Sequence, residues 1–317
     1  MMKVVASSGR DDLARVYIVE FENGLQVECA ESVQPPLPLE KKWVLLVSTL
    51  YGCPVGCTMC DAGTEYHGRL SASEITDQIE MMIRRRFPDM RVPSAQFKVQ
   101  FARMGEPALN PAVIDVLKDL PHRLDAPGFM PSVSTVAPKG TDRFFRDLLD
   151  VKRSLYSHGN FQLQFSLHTT DPVLRRRIVP VNTWSMAEIA AYGREFHSAG
   201  DRKVTLNFAL AKDSPLEPDV LMQHFDPEYF LIKITPLNPT YRAMENNLTS
   251  QIDPSSPREN SELVESVRNA GYQVILSIGE DEENLIGSNC GQYLKAHIFS
   301  SAGMTHGYTY PIRELVE

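Results

Sequence analysis

The sequence has no long hydrophobic run. No apolar stretch reaches the roughly 18 residues that a membrane-spanning helix needs, and the opening MMKVVASSGRDDLARV lacks the apolar core of a signal peptide. Apolar residues are 43% and charged residues 23% of the chain, near the average of globular proteins, which excludes disorder as the main state. These features predict a soluble, cytoplasmic protein.

The sequence also lacks an excess of positive charge. It has 32 Lys and Arg residues against 40 Asp and Glu residues, a formal net charge of −8. Proteins that bind nucleic acid usually carry a basic surface, and here only two arginine triplets, at positions 84–86 and 175–177, could form one. We interpret both triplets as solvated helix faces, so the charge pattern argues against a large RNA partner.

Cysteines are few and unevenly distributed. The chain has five, and three of them lie within eight positions: Cys29, Cys53, Cys57, Cys60 and Cys290. An odd number in this arrangement is not a disulfide framework. It indicates a metal or cofactor site in a reducing compartment.

Short β-rich runs alternate with amphipathic stretches through most of the 317 residues. Residues 15–29 alternate around Asn23-Gly24, which predicts a β-hairpin, and a connector with Pro35, Pro36 and Pro38 then separates it from the main body. The predicted strands are 44–48, 96–101, 131–136, 162–167, 203–209, 229–235 and 272–277. The predicted helices are 72–86, 111–119, 139–150, 185–198, 217–224 and 258–270.

Six strand–helix units in series imply an α/β fold with a parallel sheet and right-handed crossovers, and therefore a complete or partial barrel. We divide the chain into an N-terminal hairpin extension with its connector (1–40), a barrel core (41–256) and a closing helix, strand and loop (257–317). In such barrels the chemistry lies at the carboxyl ends of the strands.

A cysteine motif follows the first strand of the barrel core. Cys53, Cys57 and Cys60 form C-x3-C-x2-C, with the apolar Met59 before the last cysteine. Three thiolates on one loop suit a [4Fe–4S] cluster. The usual complement of such a cluster is four cysteines, so three leave one iron open. A structural zinc site with His67 as fourth ligand and three unrelated thiols are the alternatives. The spacing favours the cluster, because zinc knuckles normally have two separated ligand pairs.

This motif resembles that of the radical-SAM superfamily, which implies a partial (β/α)6 barrel. Further segments between about residues 15 and 294 are similar to the radical-SAM rRNA adenine methyltransferases, the RlmN/Cfr group. In chain order they are Met104-Gly105-Glu106-Pro107 with Asn110, Val133-Ser134-Thr135-Val136 with Pro138, Phe165-Ser166-Leu167-His168, Leu174-Arg175, residues 178–182, Thr235-Pro236-Leu237-Asn238-Pro239, and Asn289-Cys290-Gly291-Gln292.

The resemblance implies a [4Fe–4S] cluster on the three cysteines and S-adenosyl-L-methionine (SAM) on the open iron, cleaved reductively to a 5′-deoxyadenosyl radical. It implies that Glu106 holds the SAM amino group and that Gly105 lets the backbone approach the ligand. Ser134, Ser166 and Asn238 would contact the SAM carboxylate and ribose. Strand-end capping is an alternative for the two serines, and His168 could be a structural histidine.

Cys290 resembles the methyl-carrying cysteine of the family. That resemblance implies that a first SAM methylates its thiolate by displacement, a step suited to a nucleophilic sulfur. The radical from a second SAM then takes a hydrogen from the S-methyl group. The resulting carbon radical adds to an unreactive sp2 carbon of the substrate.

The sequence departs from the family pattern at three places. Leu46 stands where the family has a second cysteine that releases the adduct, and the spare thiol, Cys29, is interpreted as a packed strand residue. About fourteen residues precede the hairpin, where the family has a helical RNA-binding domain. Residues 279–283 read GEDEE, where the family has a basic segment, and acidic residues repel phosphates. We therefore expect an acceptor other than ribosomal RNA.

Three hypotheses follow. The first is a radical-SAM methyltransferase that uses methylated Cys290 to transfer a one-carbon unit to a small-molecule or nucleoside-like substrate, with an external flavodoxin-like or ferredoxin-like electron donor. The second is direct attack of the deoxyadenosyl radical on a small molecule, or conventional RNA adenine methylation. The third is a non-catalytic Fe–S or zinc protein, which the residues expected to bind SAM disfavour.

Overall fold

The strands of the chain form a mostly parallel sheet. The structure is a computed structural model and describes residues 2–33, 35, 37–63, 65–253, 257–278, 286, 294 and 313–315. The strands are β1 (Lys3–Arg10), β2 (Ala14–Glu20), β3 (Gln26–Val33), β4 (Lys42–Val47), β5 (Leu50–Tyr51), β6 (Gly68–Arg69), β7 (Gln96–Phe101), β8 (Phe129–Thr135), β9 (Gln162–Ser166), β10 (Val204–Leu210), β11 (Phe230–Pro236), β12 (Val274–Leu276) and β13 (Arg313–Glu314). The helices are α1 (Ala72–Arg86), α2 (Ala112–Arg123), α3 (Asp142–Leu155), α4 (Pro172–Ile178), α5 (Met186–Phe196), α6 (Pro218–His224), α7 (Tyr241–Glu245) and α8 (Pro257–Asn269).

The sheet has the connectivity that the alternating pattern predicts. In the described ranges its order is β12-β11-β10-β9-β8-β7-β4-β3-β2-β1-β13, and β5 and β6 form a separate pair. Neighbours from β4 to β12 are parallel, with helical segments in the connections between them. The α/β fold with a partial (β/α)6 barrel is therefore confirmed. None of the described helices is long and apolar enough to cross a membrane.

Two of the connecting helices begin at a capping box. Ser71 precedes α1 and Ser185 precedes α5; each serine hydroxyl accepts a hydrogen bond from the backbone N–H three residues later, where a glutamate side chain returns the contact. This reciprocal pairing satisfies two otherwise orphaned N–H groups. It explains why α1 begins where the sequence predicts.

The N-terminal hairpin is part of the main sheet. β2 and β3 form the predicted hairpin around Asn23-Gly24, and β1, which the sequence analysis missed, pairs antiparallel with β2. The expectation that the Pro-rich connector separates this hairpin from the main body is wrong, because β3 pairs with β4 and places Ala30 opposite Leu46. Pairing satisfies backbone groups that a detached strand would leave exposed.

The two faces of the sheet differ in polarity. Phe97, Val99 and Phe101 of β7 are fully buried in the main hydrophobic cluster, which also contains apolar side chains of α1, α2 and α3. Side chains alternate along a strand, so Lys98 and Gln100 point to the opposite face. We call this second surface the inner face; it also carries Leu46 and Ser132, which are paired in register with Gln100.

The prediction of solvated helix faces for the arginine triplets is wrong for two of the six residues. The Arg86 guanidinium bonds the buried carboxylate of Glu31, with Nε 2.7 Å from Oε2. Arg175 is only 5% exposed, and its guanidinium donates to backbone carbonyls of Val136 and Trp184. Buried acceptors need donors, and in the folded protein Arg86 and Arg175 supply them, which the local charge pattern does not reveal.

Candidate functional site

The cysteine loop follows β4 and begins with a turn that requires glycine. Gly52 has a φ of +76°, and a Cβ at this position would lie 1.4 Å from the Glu65 carbonyl oxygen. The loop brings Cys53, Cys57 and Cys60 to the carboxyl edge of the parallel sheet, where all three are partly buried. The Cys60 N–H donates to the Cys57 carbonyl oxygen at 3.1 Å.

Burial shifts the thiols of this loop away from their charged form. Burial is the largest cause of a pKa of about 11 at Cys53 and of about 12 at Cys57; the Glu106 carboxylate contributes to both shifts, and Cys53 contributes to the shift at Cys57. Cys53 and Cys57 therefore lie near enough to Glu106 for their charges to interact. A bound metal centre would reverse these shifts, because a coordinating thiol is deprotonated.

The three thiols fit an iron–sulfur cluster better than a single ion. Within the described ranges, no three His, Cys, Asp or Glu side chains converge closely enough to hold one metal ion. Each cysteine of a [4Fe–4S] cluster binds a different iron, so its thiols lie further apart than the ligands of one zinc. His67, the alternative zinc ligand, has a side chain that is 53% exposed and lies 3.5 Å from Glu65.

A second loop, after β11, holds the cysteine loop in place. Thr240 Oγ1 donates to the Met59 carbonyl oxygen at 2.9 Å. The carboxylate of Asp61, which is 2% exposed, accepts the backbone N–H groups of Tyr241 and Arg242 at 3.1 and 2.9 Å. Sequence reasoning missed these contacts, because they join residues about 180 positions apart. The only local signal was the position of Asp61 directly after the last cysteine.

Glu106 is a buried carboxylate held by neutral donors. It is 5% exposed and accepts hydrogen bonds from Thr135 Oγ1 at 2.5 Å, from the Ala108 N–H at 3.0 Å and from the Val136 N–H at 2.9 Å. Among the described residues no cationic side chain pairs with it. Burial raises its pKa, and the three hydrogen bonds oppose that shift. A carboxylate has about four acceptor positions, so one is left for a cationic ligand.

The other residues expected to bind SAM lie at the same edge of the sheet. Ser134 and Ser166 are the penultimate residue of β8 and the last residue of β9, and Asn238 follows β11 by two residues. The Ser134 hydroxyl accepts hydrogen bonds from Gln100 at 3.4 Å and from Gln164 at 3.2 Å. Carboxyl ends of parallel strands share one edge, so this topology brings the separated segments together.

Gly105 positions the residue that follows it. Its φ is +97°, and a Cβ here would lie 2.5 Å from the Leu50 Cβ. Only glycine fits a backbone this close to β5 in a left-handed conformation. The peptide of Gly105 thereby directs Glu106 toward the end of β8.

Two buried basic side chains, His168 and Arg175, follow β9. His168 has a φ of +68°, and burial lowers its pKa to about 3 with a smaller effect from Arg175. Its Nδ1 accepts the Ala209 N–H at 3.3 Å, which supports the structural alternative for this histidine. Arg175 lies near Cys57, and its Nε has no hydrogen-bond partner among the described residues.

Leu46 and Cys29 lie on opposite faces of the sheet. Leu46 shares the inner face with Ala30, its partner on β3. Cys29 precedes Ala30 and therefore points to the other face, where it is fully buried in the main hydrophobic cluster and burial raises its pKa. This agrees with a packed strand residue, and the orientation keeps its thiol away from any group bound on the inner face.

Cys290 lies outside the described residues. Ile286, four positions before it, is fully buried against an apolar cluster that includes Ala30 and Ile18. The Leu294 N–H, four positions after it, donates to Glu28 Oε2 at 3.0 Å. The acidic segment 279–283 also lies outside the described residues.

Comparison with known proteins agrees with this architecture. A radical SAM methyltransferase from Sphaerobacter thermophilus superposes with a TM-score of 0.73 at 23% identity, covering 92% of this chain and 80% of that one. This likeness defines the fold as that of a radical SAM enzyme. No family profile matches the chain.

Sequence relatives narrow the relationship. Probable dual-specificity RNA methyltransferases RlmN from Parafrankia and from Thermus thermophilus are 31% identical over 259 residues and 33% identical over 183 residues. These alignments cover 78% and 56% of this chain, but only 64% and 48% of the relatives. A third RlmN, from Chlorobaculum tepidum, is 25% identical over 87% of this chain and 70% of its own length. The chain is a divergent relative of the RlmN radical SAM methyltransferases, whose family uses a [4Fe–4S] cluster and SAM. It spans about half the length of the Thermus proteins.

Proposed function

We propose that the protein is a radical SAM methyltransferase with its cluster on Cys53, Cys57 and Cys60. The observation that carries the proposal is Glu106, a buried carboxylate beside the cysteine loop that has neutral donors and no cationic partner among the described residues. A structural carboxylate this deeply buried is normally paired with a cation. When bound, the cluster supplies the electron that cleaves SAM.

The residues of this chain bind and orient SAM. Glu106 accepts the SAM ammonium group in a charge-assisted hydrogen bond, and its three protein donors keep the carboxylate from rotating. Ser134, Ser166 and Asn238 offer polar groups to the SAM carboxylate and ribose from the carboxyl ends of β8, β9 and β11.

We further propose that Cys290 carries the methyl group. The support comes from the sequence, where Asn289-Cys290-Gly291-Gln292 resembles the family segment, and from Ile286 and Leu294. These residues lie four positions before and four positions after Cys290 and belong to the same apolar cluster as Leu46. The acceptor is a small-molecule or nucleoside-like compound rather than ribosomal RNA. The segment GEDEE and the net charge of −8 support that assignment, and a flavodoxin-like or ferredoxin-like protein serves as the electron donor.

Anaerobic reconstitution with iron and sulfide tests the cluster. The protein should show the broad visible absorption of a [4Fe–4S] centre and cleave SAM when reduced. Replacing Cys53, Cys57 or Cys60 by Ala should abolish the absorption, whereas Cys29→Ala, the matched control outside the loop, should retain it. Tightly bound zinc without iron would contradict the proposal.

Mass spectrometry tests the methyl carrier. Protein incubated with methyl-deuterated SAM should carry the label on the peptide that contains Cys290, and Cys290→Ala should stop methyl transfer. An unlabelled Cys290, with full turnover by the Cys290→Ala variant, would favour direct radical attack on the substrate. Submicromolar, strongly salt-dependent binding of a ribosomal RNA fragment would contradict the assignment of the acceptor.

A further inference from the structure

Three lysines of separate strands point into the barrel. Lys42 of β4, Lys98 of β7 and Lys233 of β11 all lie on the inner face, as the register with their neighbours shows. β8, β9 and β10 separate β7 from β11 in the sheet. The charges of Lys98 and Lys233 nevertheless interact, as expected for two strands whose inner faces line the same partial barrel.

These ammonium groups repel one another and lack partners. Burial, together with the nearby charges of Lys233, Lys42 and Arg202, lowers the pKa of Lys98 to about 7. The pKa of Lys233 is lowered by burial and then by Lys42. Among the described residues, none of the three lysines has a hydrogen bond or an ion pair. The three lysines are half-buried, and partly desolvated cations without partners cost free energy.

Unsatisfied polar atoms line the same space. Ser132 is 1% exposed and Asn207 is 8% exposed, and neither Ser132 Oγ nor Asn207 Oδ1 has a partner in the described ranges. Asn207 is paired in register with Lys233, and Ser132 with Gln100, two residues after Lys98. Buried polar atoms are nearly always satisfied. Their coincidence with the lysines indicates a site that is completed by a polar ligand.

We propose that this inner surface binds a phosphate group of the substrate through Lys98 and Lys233, with Lys42 adding charge and Ser132 and Asn207 completing the polar wall. The inference rests on the proposed function, since it names the substrate as a phosphorylated compound. A phosphate monoester carries nearly two charges at neutral pH, so one group neutralises two ammonium groups. A carboxylate would neutralise only one.

The position of the lysines suits a substrate that extends toward the residues assigned to SAM. Lys98 precedes Gln100 by two residues, and Gln100 bonds Ser134, one of the residues assigned to SAM. Two residues of a strand span about 6.6 Å. The phosphate would therefore bind below the SAM layer, with the rest of the substrate extending toward it.

Inorganic phosphate is the probe for this site, titrated calorimetrically into the reconstituted holoenzyme. The wild-type protein should bind phosphate saturably, and Lys98→Met and Lys233→Met should each weaken binding by about tenfold or more, the loss expected for one charge-assisted hydrogen bond. Lys118→Met, on the exposed side of α2, is the matched control and should bind as the wild type does. The relief of repulsion should also raise the melting temperature of Lys98→Met without phosphate.

Three results would overturn the inference. They are no saturable binding by the wild type, unchanged binding by both lysine variants, and binding that appears only after residues 280–283 are neutralised to their amides. The last result would mean that the chain's own acidic segment pairs with the lysines. Phosphate binding does not require SAM cleavage, so the two failures are distinguishable. Cleavage without phosphate binding removes this inference alone, whereas phosphate binding without cleavage removes the proposed function and leaves only a phosphate site.

Discussion

Replacing Gly105 by Ala should disrupt the SAM site through the backbone. The new Cβ would lie 2.5 Å from Leu50 Cβ, 2.6 Å from Leu50 Cγ and 2.7 Å from Leu50 N. Leu50 is fully buried, and its N–H donates to the Met104 carbonyl oxygen at 3.2 Å, so it has no room to retreat. The loop that carries Glu106 must therefore move.

The expected loss in the free energy of unfolding of Gly105→Ala has two parts. A non-glycine residue in the left-handed region costs about 1–2 kcal/mol, and forcing an extra group into packed surroundings costs about 1–3 kcal/mol. Urea denaturation should therefore show a loss of about 2–5 kcal/mol in the free energy of unfolding. Equilibrium dialysis should also show weaker SAM binding, because the Glu106 carboxylate is displaced.

Gly24→Ala is the matched control. Gly24 has a φ of +75°, but a Cβ there meets nothing within 4 Å. The Gly24→Ala variant should lose only the part of the free energy of unfolding that comes from the left-handed backbone, about 1–2 kcal/mol, and it should keep its SAM affinity. Equal destabilisation of the two variants, or unchanged SAM binding by Gly105→Ala, would refute the reasoning.

Three other predictions concern buried ionisable groups. Glu106→Gln keeps the shape of the side chain but removes its charge, so SAM affinity measured by dialysis should fall about tenfold or more, whereas the exposed control Glu228→Gln should not change it. Arg86→Met leaves the carboxylate of Glu31 without its cation and should cost about 1–3 kcal/mol in urea denaturation; no loss would mean that the other donors to Glu31, the Tyr17 hydroxyl and the Trp43 indole N–H, suffice. His168 has a pKa of about 3 in the folded protein against an ordinary value of 6.5. As the pH falls, the unfolded chain therefore binds a proton at this residue before the folded protein does. The free energy of unfolding should fall below pH 6.5 by up to about 1.4 kcal/mol per pH unit. His168→Asn should flatten the dependence between pH 6.5 and 5, and an identical pH profile in the variant would contradict this assignment.

Local sequence patterns determined the elements and the cysteine loop of this protein. Alternation around Asn23-Gly24, serine capping boxes and the spacing of Cys53, Cys57 and Cys60 act over a few residues, so they can be read without knowing the fold. The strand–helix order then implied that Glu106 and the other residues expected to bind SAM meet at one edge. Right-handed crossovers leave little choice in that topology.

Tertiary structure alone decided which side chains meet across the sheet. The pairing of β3 with β4, the burial of Arg175 and the anchoring of Asp61 by the loop after β11 join distant segments, and no local pattern encodes such contacts. The inner-face lysines show the reason most clearly. Lys98 and Lys233 stand 135 positions apart, each an ordinary polar residue in an alternating strand, and only the tertiary structure lets their charges interact.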